Sequence, residues 1–209
     1  IARMLLNLGG IANLSWLPSI NSGSEVVGSD TGPANTLINE AMTLYFGKEY
    51  DKDGEVARQG QVNNEFVKAL LCDDFFKKKF PKSTGQEIFN LGYIHHQMQS
   101  LGVNLQPKDL VATLTQFTVE SVALAMKKIS NTDSFEWYVS GGGLYNTMIM
   151  EGLRAYFPNS PQRNFDELGI PSDAKEAALI AFLADGMIVG KKFLVNHREV
   201  SLGKLSLSD

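Results

Sequence analysis

Arg3-Met-Leu-Leu-Asn-Leu-Gly-Gly-Ile-Ala-Asn-Leu-Ser-Trp-Leu17 sets the architecture. An apolar run over 3–8 closes in Asn7-Leu8-Gly9-Gly10, and 11–17 then alternates apolar with small or polar residues, as a half-buried strand does. Two glycines between two strands make a tight hairpin. Met4-Leu5-Leu6 reads as the middle of a buried strand and the first residue is Ile1, so the natural protein is expected to begin well upstream. Downstream, Pro18 to Ser24 is a loop by composition and Glu25 to Gly28 returns as a strand. Asp30-Thr31-Gly32-Pro33 then opens a helix from about Ala34 to Phe46, with Leu37, Ile38 and Met42 roughly at helical spacing.

The middle third, about 47–105, is turn-rich and helical in pieces: Tyr50 to Gly54 is a polar loop, 55–79 is mostly helix, and Pro81 to Gly85 is another loop. It reads as an insertion. Pro107 to Ile129 is one amphipathic helix. Trp137 to Val139 is a strand running into Ser140-Gly141-Gly142-Gly143, and Tyr145 to Phe157 is a helix, which makes a strand, glycine turn, helix unit. Pro171-Ser172-Asp173 starts a last helix over Ala174 to Val189. The tail after Lys192 shows no pattern, and no internal repeat occurs.

The 209 residues are 44% hydrophobic and 20% charged, the composition of a globular chain. Nineteen basic against 23 acidic side chains leave a net charge of −4 with no long run of one sign, which argues against a nucleic-acid or anionic-membrane partner. The longest basic run, Lys77 to Lys79, ends a helix, where cations suit the dipole. The single cysteine, Cys72, has no partner for an internal disulfide and is expected to be buried or half-buried. With no long apolar span and no signal peptide in the residues present, a reducing cytoplasm is the expected location.

Glycine turns that follow strands let backbone N–H groups approach an anion. Gly9-Gly10 and Gly141 to Gly143 both qualify, yet a Gly-Gly hairpin is commonly structural and the second turn could equally serve helix–sheet packing. Neither is a Walker loop or a complete Rossmann fingerprint. Asp30 precedes a Gly-Pro turn at a helix start, where it could be a cap or an ionised carboxylate held by backbone donors. Glu176, one turn into the last helix, could be a first-turn acid suited to the dipole or a ligand contact. His95 and His96 are adjacent, so on a helix they diverge by about 100° and cannot share one metal. No metal-ligand set is expected.

Asn7 to Ser15, Asp30-Thr-Gly-Pro-Ala-Asn35, Tyr50-Asp-Lys-Asp-Gly54, Pro81-Lys-Ser-Thr-Gly-Gln-Glu87 and Ser140 to Gly143 occur in that order, and together they resemble the anhydro-N-acetylmuramic acid kinase family over roughly residues 4–190. The resemblance implies an α/β fold of the actin-like ATPase (ribonuclease H-like) kind, a mixed sheet flanked by helices with a mainly helical insertion at about 47–105. Residues 1–192 would be the C-terminal domain of a two-domain sugar kinase, 193–209 a tail, and the N-terminal domain would lie outside this chain. It implies a reaction in which water opens 1,6-anhydro-N-acetylmuramic acid while O6 takes the γ-phosphoryl group of ATP, giving MurNAc 6-phosphate. By the same resemblance Asp30 is the base for that water, and Glu176, Thr31 and Gly32 contact the sugar. Gly9, Gly10, Gly141, Gly142, Gly143 and Asn146 would serve ATP, with Mg²⁺ arriving on the nucleotide, and the full-length protein would be a homodimer active in cell-wall recycling. Ala34 stands where the family has glycine, and Leu144 and Tyr145 stand where it has small or polar residues.

Asp30-Thr31-Gly32 is also the aspartic-protease signature, but such enzymes pair two acids and are nearly all β, whereas one copy and long helices occur here. A non-catalytic nucleotide or sugar sensor on the same fold is the alternative function. This chain alone is expected to be inactive, since catalysis between two closing domains needs both.

Overall fold

The first strands, β1 (Arg3–Leu8) and β2 (Ile11–Leu17), form the expected hairpin, with Arg3 opposite Leu17 and Leu8 opposite Ala12. Met4, Leu6 and Leu8 of one and Ala12, Leu14 and Trp16 of the other are buried, so one face of the hairpin enters the core. β3 (Val27–Pro33) pairs antiparallel with β2. The helices of the first two-thirds follow as α1 (Asn35–Phe46), α2 (Asn64–Leu71), α3 (Asp74–Lys77), α4 (Leu91–Leu101) and α5 (Pro107–Ser130). β4 (Glu136–Ser140) then runs parallel to β1, α6 (Thr147–Tyr156) follows it, and β5 (Gln162–Asn164) runs parallel to β4. Among the described residues this is one mixed sheet of order β3-β2-β1-β4-β5 flanked by helices, the α/β architecture expected.

The computed structural model describes residues 1–20, 22–130, 134–171, 174–195 and 198–202. They divide into two compact units, Ile1–Asn164 and Phe165–Asp209. The second carries α7 (Lys175–Ile188) and a short hairpin of β6 (Phe193–Val195) and β7 (Arg198–Val200). That hairpin occupies the tail in which no pattern was legible; three-residue strands are too short for alternation to show. Ser172 and Asp173, expected to start α7, lie outside the described residues, and Ala174 is its N-cap.

The core is built on α5, which starts at Pro107, carries Asp109 in its first turn and Lys127 and Lys128 in its last. Leu110, Leu114, Phe117, Val122 and Met126 are buried along it, and its buried threonines are satisfied locally, Thr115 donating to the Val111 carbonyl and Thr118 to that of Ala34. The region 55–79 is less helical than its composition suggests. Asn63 accepts from the Phe66 N–H and Asp73 from the Phe75 N–H, so two caps cut the run into α2 and α3 behind a 3₁₀ turn at Ala57–Gln59. Lys77 closes α3, as the basic run implied. Cys72, just past α2, is exposed rather than buried, because the apolar face of α2 is carried by Phe66, Val67 and Leu70. Among the described residues no helix is long and apolar enough to cross a membrane.

Candidate functional site

Asp30 lies inside β3, not at the start of α1. The strand expected at 25–28 begins at Val27 and extends to Pro33, with the pairing to β2 shifted between Ala12 and Asn13, which places Ala12 opposite Gly32 and Asn13 opposite Asp30 and leaves Thr31 as the extra residue. Such a bulge re-aims a side chain. The cap reading of Asp30 is thereby excluded: Ala34 is the N-cap of α1, without a side-chain cap bond.

β3 is an edge strand, and its free edge is covered by the loop at 81–84. The Asp30 N–H donates to the Lys82 carbonyl at 3.0 Å, and the Ser29 hydroxyl both donates to that carbonyl and accepts from the Lys82 N–H. The same loop grips the carboxylate. Ser83 Oγ donates to Asp30 Oδ2 at 2.8 Å and the Thr84 N–H donates to it at 2.9 Å. Oδ2 is therefore held twice, leaving Oδ1 as the oxygen available to a ligand. Asn13, Ser15, Gly28, Ser29, Asp30, Pro81, Lys82 and Ser83 line an open cleft here of about 480 Å³.

The two glycine turns meet at the end of β1. Asn35 Nδ2 donates to the Leu8 and Gly9 carbonyls at 2.9 and 2.8 Å, while the N–H groups of Ala34, Asn35 and Thr36 donate to the Gly9 and Gly10 carbonyls. Planar trans peptides then point the N–H groups of Gly9 and Gly10 away from α1, where backbone donors are available to an anion. Gly10 is closely approached by side chains: a Cβ there would meet Gln86 Nε2 and Thr36 Oγ1 at 2.7 Å, so one of them would have to move. Thr36 Oγ1 is buried with no hydrogen-bond partner. On the other turn, Gly141 adopts φ +86°, and a Cβ would sit 2.7 Å from the Leu8 carbonyl oxygen. Gly143 is packed as tightly, its would-be Cβ 2.6 Å from that of Leu8.

A second cleft, of about 460 Å³, opens beside these turns, lined by Asn35, Ile38 and Asn39 of α1, Tyr50 to Asp53, and Gly142, Tyr145 and Asn146. Its floor at 50–54 is rigid: buried Asp51 accepts from the Val56 and Ala57 N–H groups, and Asp53 holds a left-handed φ of 56°. A volume of this size suits a small organic ligand.

One row of polar side chains runs across the sheet from the first cleft to the second glycine turn. In register, Asp30 stands opposite Asn13, Asn13 opposite Asn7, and Asn7 opposite Ser140, which immediately precedes Gly141. Register partners share a face, so these four residues line up over three strand spacings, roughly 14 Å. Ser140 Oγ donates to Asn7 Oδ1 at 3.1 Å.

The structure thus brings Asp30, Gly9, Gly10, Gly141, Gly142, Gly143 and Asn146 to one edge of one sheet. Asn146 has a structural task as well, its amide oxygen capping α6 by accepting from the Met148 and Ile149 N–H groups. Thr31 is fully buried and donates to the Ala12 carbonyl, and Gly32 packs against Phe76, so both stand behind Asp30 and outside the cleft lining. Glu176 is exposed in the first turn of α7, in the second unit. Asn13, Asn35, Ser83 and Thr84 lie within the sequence motifs, but their tasks depend on register and loop closure, which spacing alone does not encode. Of the two adjacent histidines, His95 contacts the Tyr45 hydroxyl at 3.0 Å.

A family model described as anhydro-N-acetylmuramic acid kinase matches residues 1–193. Curated proteins of that name from Pseudoalteromonas atlantica, Caldanaerobacter subterraneus and Aliivibrio fischeri are 38%, 37% and 37% identical, over 99%, 97% and 90% of this chain and 54%, 54% and 50% of their own. The chain spans about half the length of the curated relatives it matches. Among solved structures, the activator of the 2-hydroxyisocaproyl-CoA dehydratase from Clostridium difficile with bound ADPNP overlays on 78% of this chain and 54% of its own at a TM-score of 0.44 and 15% identity, a likeness too distant to assign anything.

Proposed function

The chain belongs to the anhydro-N-acetylmuramic acid kinase family, and from that premise we propose that it forms the part of an ATP-dependent sugar kinase that holds the catalytic base and one wall of the nucleotide site. In the proposed reaction, water adds to the anomeric carbon of 1,6-anhydro-N-acetylmuramic acid and the bond from that carbon to O6 breaks. O6 takes the γ-phosphoryl group, ADP leaves, and Asp30 Oδ1 takes the proton of the attacking water. The observation that carries this reading is the Asp30 carboxylate, fixed through Oδ2 at one end of a polar row whose other end is a glycine turn. A base held within a paired strand and gripped through one oxygen needs no reorganisation as it acts.

The backbone of Gly9, Gly10 and Gly141 to Gly143 is proposed to hold the phosphates, with Asn146 and the neighbouring cleft serving the rest of ATP. Two features favour a ligand there: the orphaned buried hydroxyl of Thr36, and Gly141 and Gly143, whose places a side chain could take only by displacing Leu8. Mg²⁺ would accompany the nucleotide, keeping waters and phosphate oxygens as most of its ligands and easing charge on the transferred group. A role in peptidoglycan recycling, a cytoplasmic location and a homodimer of the longer protein complete the proposal.

The test is phosphorylation of 1,6-anhydro-N-acetylmuramic acid by Mg·ATP, using the longer protein that carries these residues, its Asp30→Asn variant, and this chain alone. Turnover is expected in the first, a loss of about 10²–10⁴ in kcat in the second, and none in the third. Intact protein that binds sugar and ATP without turnover would instead make this a sensor.

A further inference from the structure

The loop that grips Asp30 must itself be held, and Lys82 is the residue placed to hold it. Its Nζ donates to the Phe75 carbonyl at 2.9 Å and lies 4.1, 5.4 and 4.9 Å from the ring centroids of Phe75, Phe76 and Phe80. Those rings belong to a packed cluster that continues through Phe89 to Tyr93 and through Phe76 to Phe117 on α5, so the anchor point is the core itself. The main chain of Lys82 meanwhile makes the bonds to Ser29 and Asp30 along the β3 edge, and the next two residues hold Oδ2.

We propose that Lys82 is a positioning residue for the base: its ammonium, seated on three aromatic rings and a main-chain carbonyl, pins the loop whose Ser83 hydroxyl and Thr84 N–H aim the Asp30 carboxylate. This rests on Asp30 being the base. The charge of the pin is adjustable. Burial, and then the ammonium groups of Lys128 on α5 and Lys78 just beyond α3, lower Lys82 to about 8. Lys128 reaches in from its own helix, its Nζ 3.4 Å from the Phe76 carbonyl, while Lys77 and Asp74 of α3 pair with each other at the surface. Along the chain the nearest carboxylate is Glu87, and the one the loop positions is Asp30. Above about pH 8 the amine loses the cation–π part of its hold on the rings.

Two measurements test the pin. In the ¹⁵N-labelled chain, the Thr84 amide resonance should follow the Lys82 charge with a midpoint near pH 8, and Lys82→Met should displace it and abolish that titration. A Thr84 amide that stays still through this range, or that is unmoved in folded Lys82→Met, overturns the proposal. In the active longer protein, Lys82→Met should lower kcat, by up to on the order of 100-fold for a misplaced group, with KM for ATP unchanged and Lys82→Arg restoring much of it. Combined with Ser83→Ala the losses should fall short of additive, because both act through one carboxylate; additive losses would mean Lys82 merely supports the fold. Should Lys82→Met fail to fold, Lys82→Gln and the titration of the unaltered chain carry the same decision. If the unaltered longer protein phosphorylates nothing, the proposed reaction fails while the amide titration still decides whether Lys82 pins the loop.

Discussion

At the scale of single residues, the site turns on how a carboxylate is divided. Asp30 Oδ2 accepts from Ser83 and Thr84, so its orientation is set from the side of the loop and Oδ1 is left for a ligand. Hydrogen bonds to an ionised group contribute roughly 1.5–3 kcal/mol, and each 1.36 kcal/mol is about tenfold in rate. Ser83→Ala should therefore reduce kcat by about ten- to hundredfold in steady-state kinetics, with the fold intact by circular dichroism, whereas Ser83→Thr, which keeps the hydroxyl, should retain most activity. Asp30 and its Asp-Thr-Gly-Pro setting were legible in the sequence. Its grip was not, because Ser83 lies 53 residues away and meets it only through the pairing of the 81–84 loop with β3.

At the scale of elements, the β1–β2 hairpin and the start of α1 behave as one piece. The Asn35 side chain donates to the Leu8 and Gly9 carbonyls at the hairpin tip, and the N–H groups at the start of α1 are spent on those of Gly9 and Gly10 rather than on a cap. Asn35→Ala should cost about 1–3 kcal/mol for carbonyls left partly unsatisfied, seen as a fall in Tm of about 2–4 °C per kcal/mol and as weaker ATP binding by calorimetry. Gly143→Ala probes the opposite turn. The added carbon would lie 2.6 Å from Leu8 Cβ, so β1 and the turn must separate and ATP binding should fall with the hairpin itself still formed. The glycines announced both turns in the sequence; that Gly141 and Gly143 press on Leu8, the residue before the first turn, follows only from the parallel pairing of β1 with β4.

At the scale of the whole molecule, stability should carry a trace of Lys82. Its folded-state value of about 8 against an ordinary 10.5 means that, between those two pH values, the unfolded chain binds the more protons, so stability rises with pH across that window. The cost of holding the ammonium is fully present below about pH 8. Urea midpoints measured at about pH 7 and about pH 10 should rise more in the unaltered chain than in Lys82→Met. The effect is modest because the side chain keeps substantial contact with water.

Hydrophobic alternation in 3–17, the glycines at 9–10 and 141–143, and the capping and dipole signals of α5 were enough to specify the hairpin, the two turns and the central helix, since each depends on neighbours within a few residues. Five motifs in order identified the family. Tertiary structure alone decided that β3 runs on through Asp30 to Pro33, that a bulge at Thr31 turns Asp30 to the cleft, and that Asp30, Asn13, Asn7 and Ser140 share one row. Those facts depend on strand register and on the closing of a long loop, and register is set by the pairing of distant segments, which a local reading of residues does not contain.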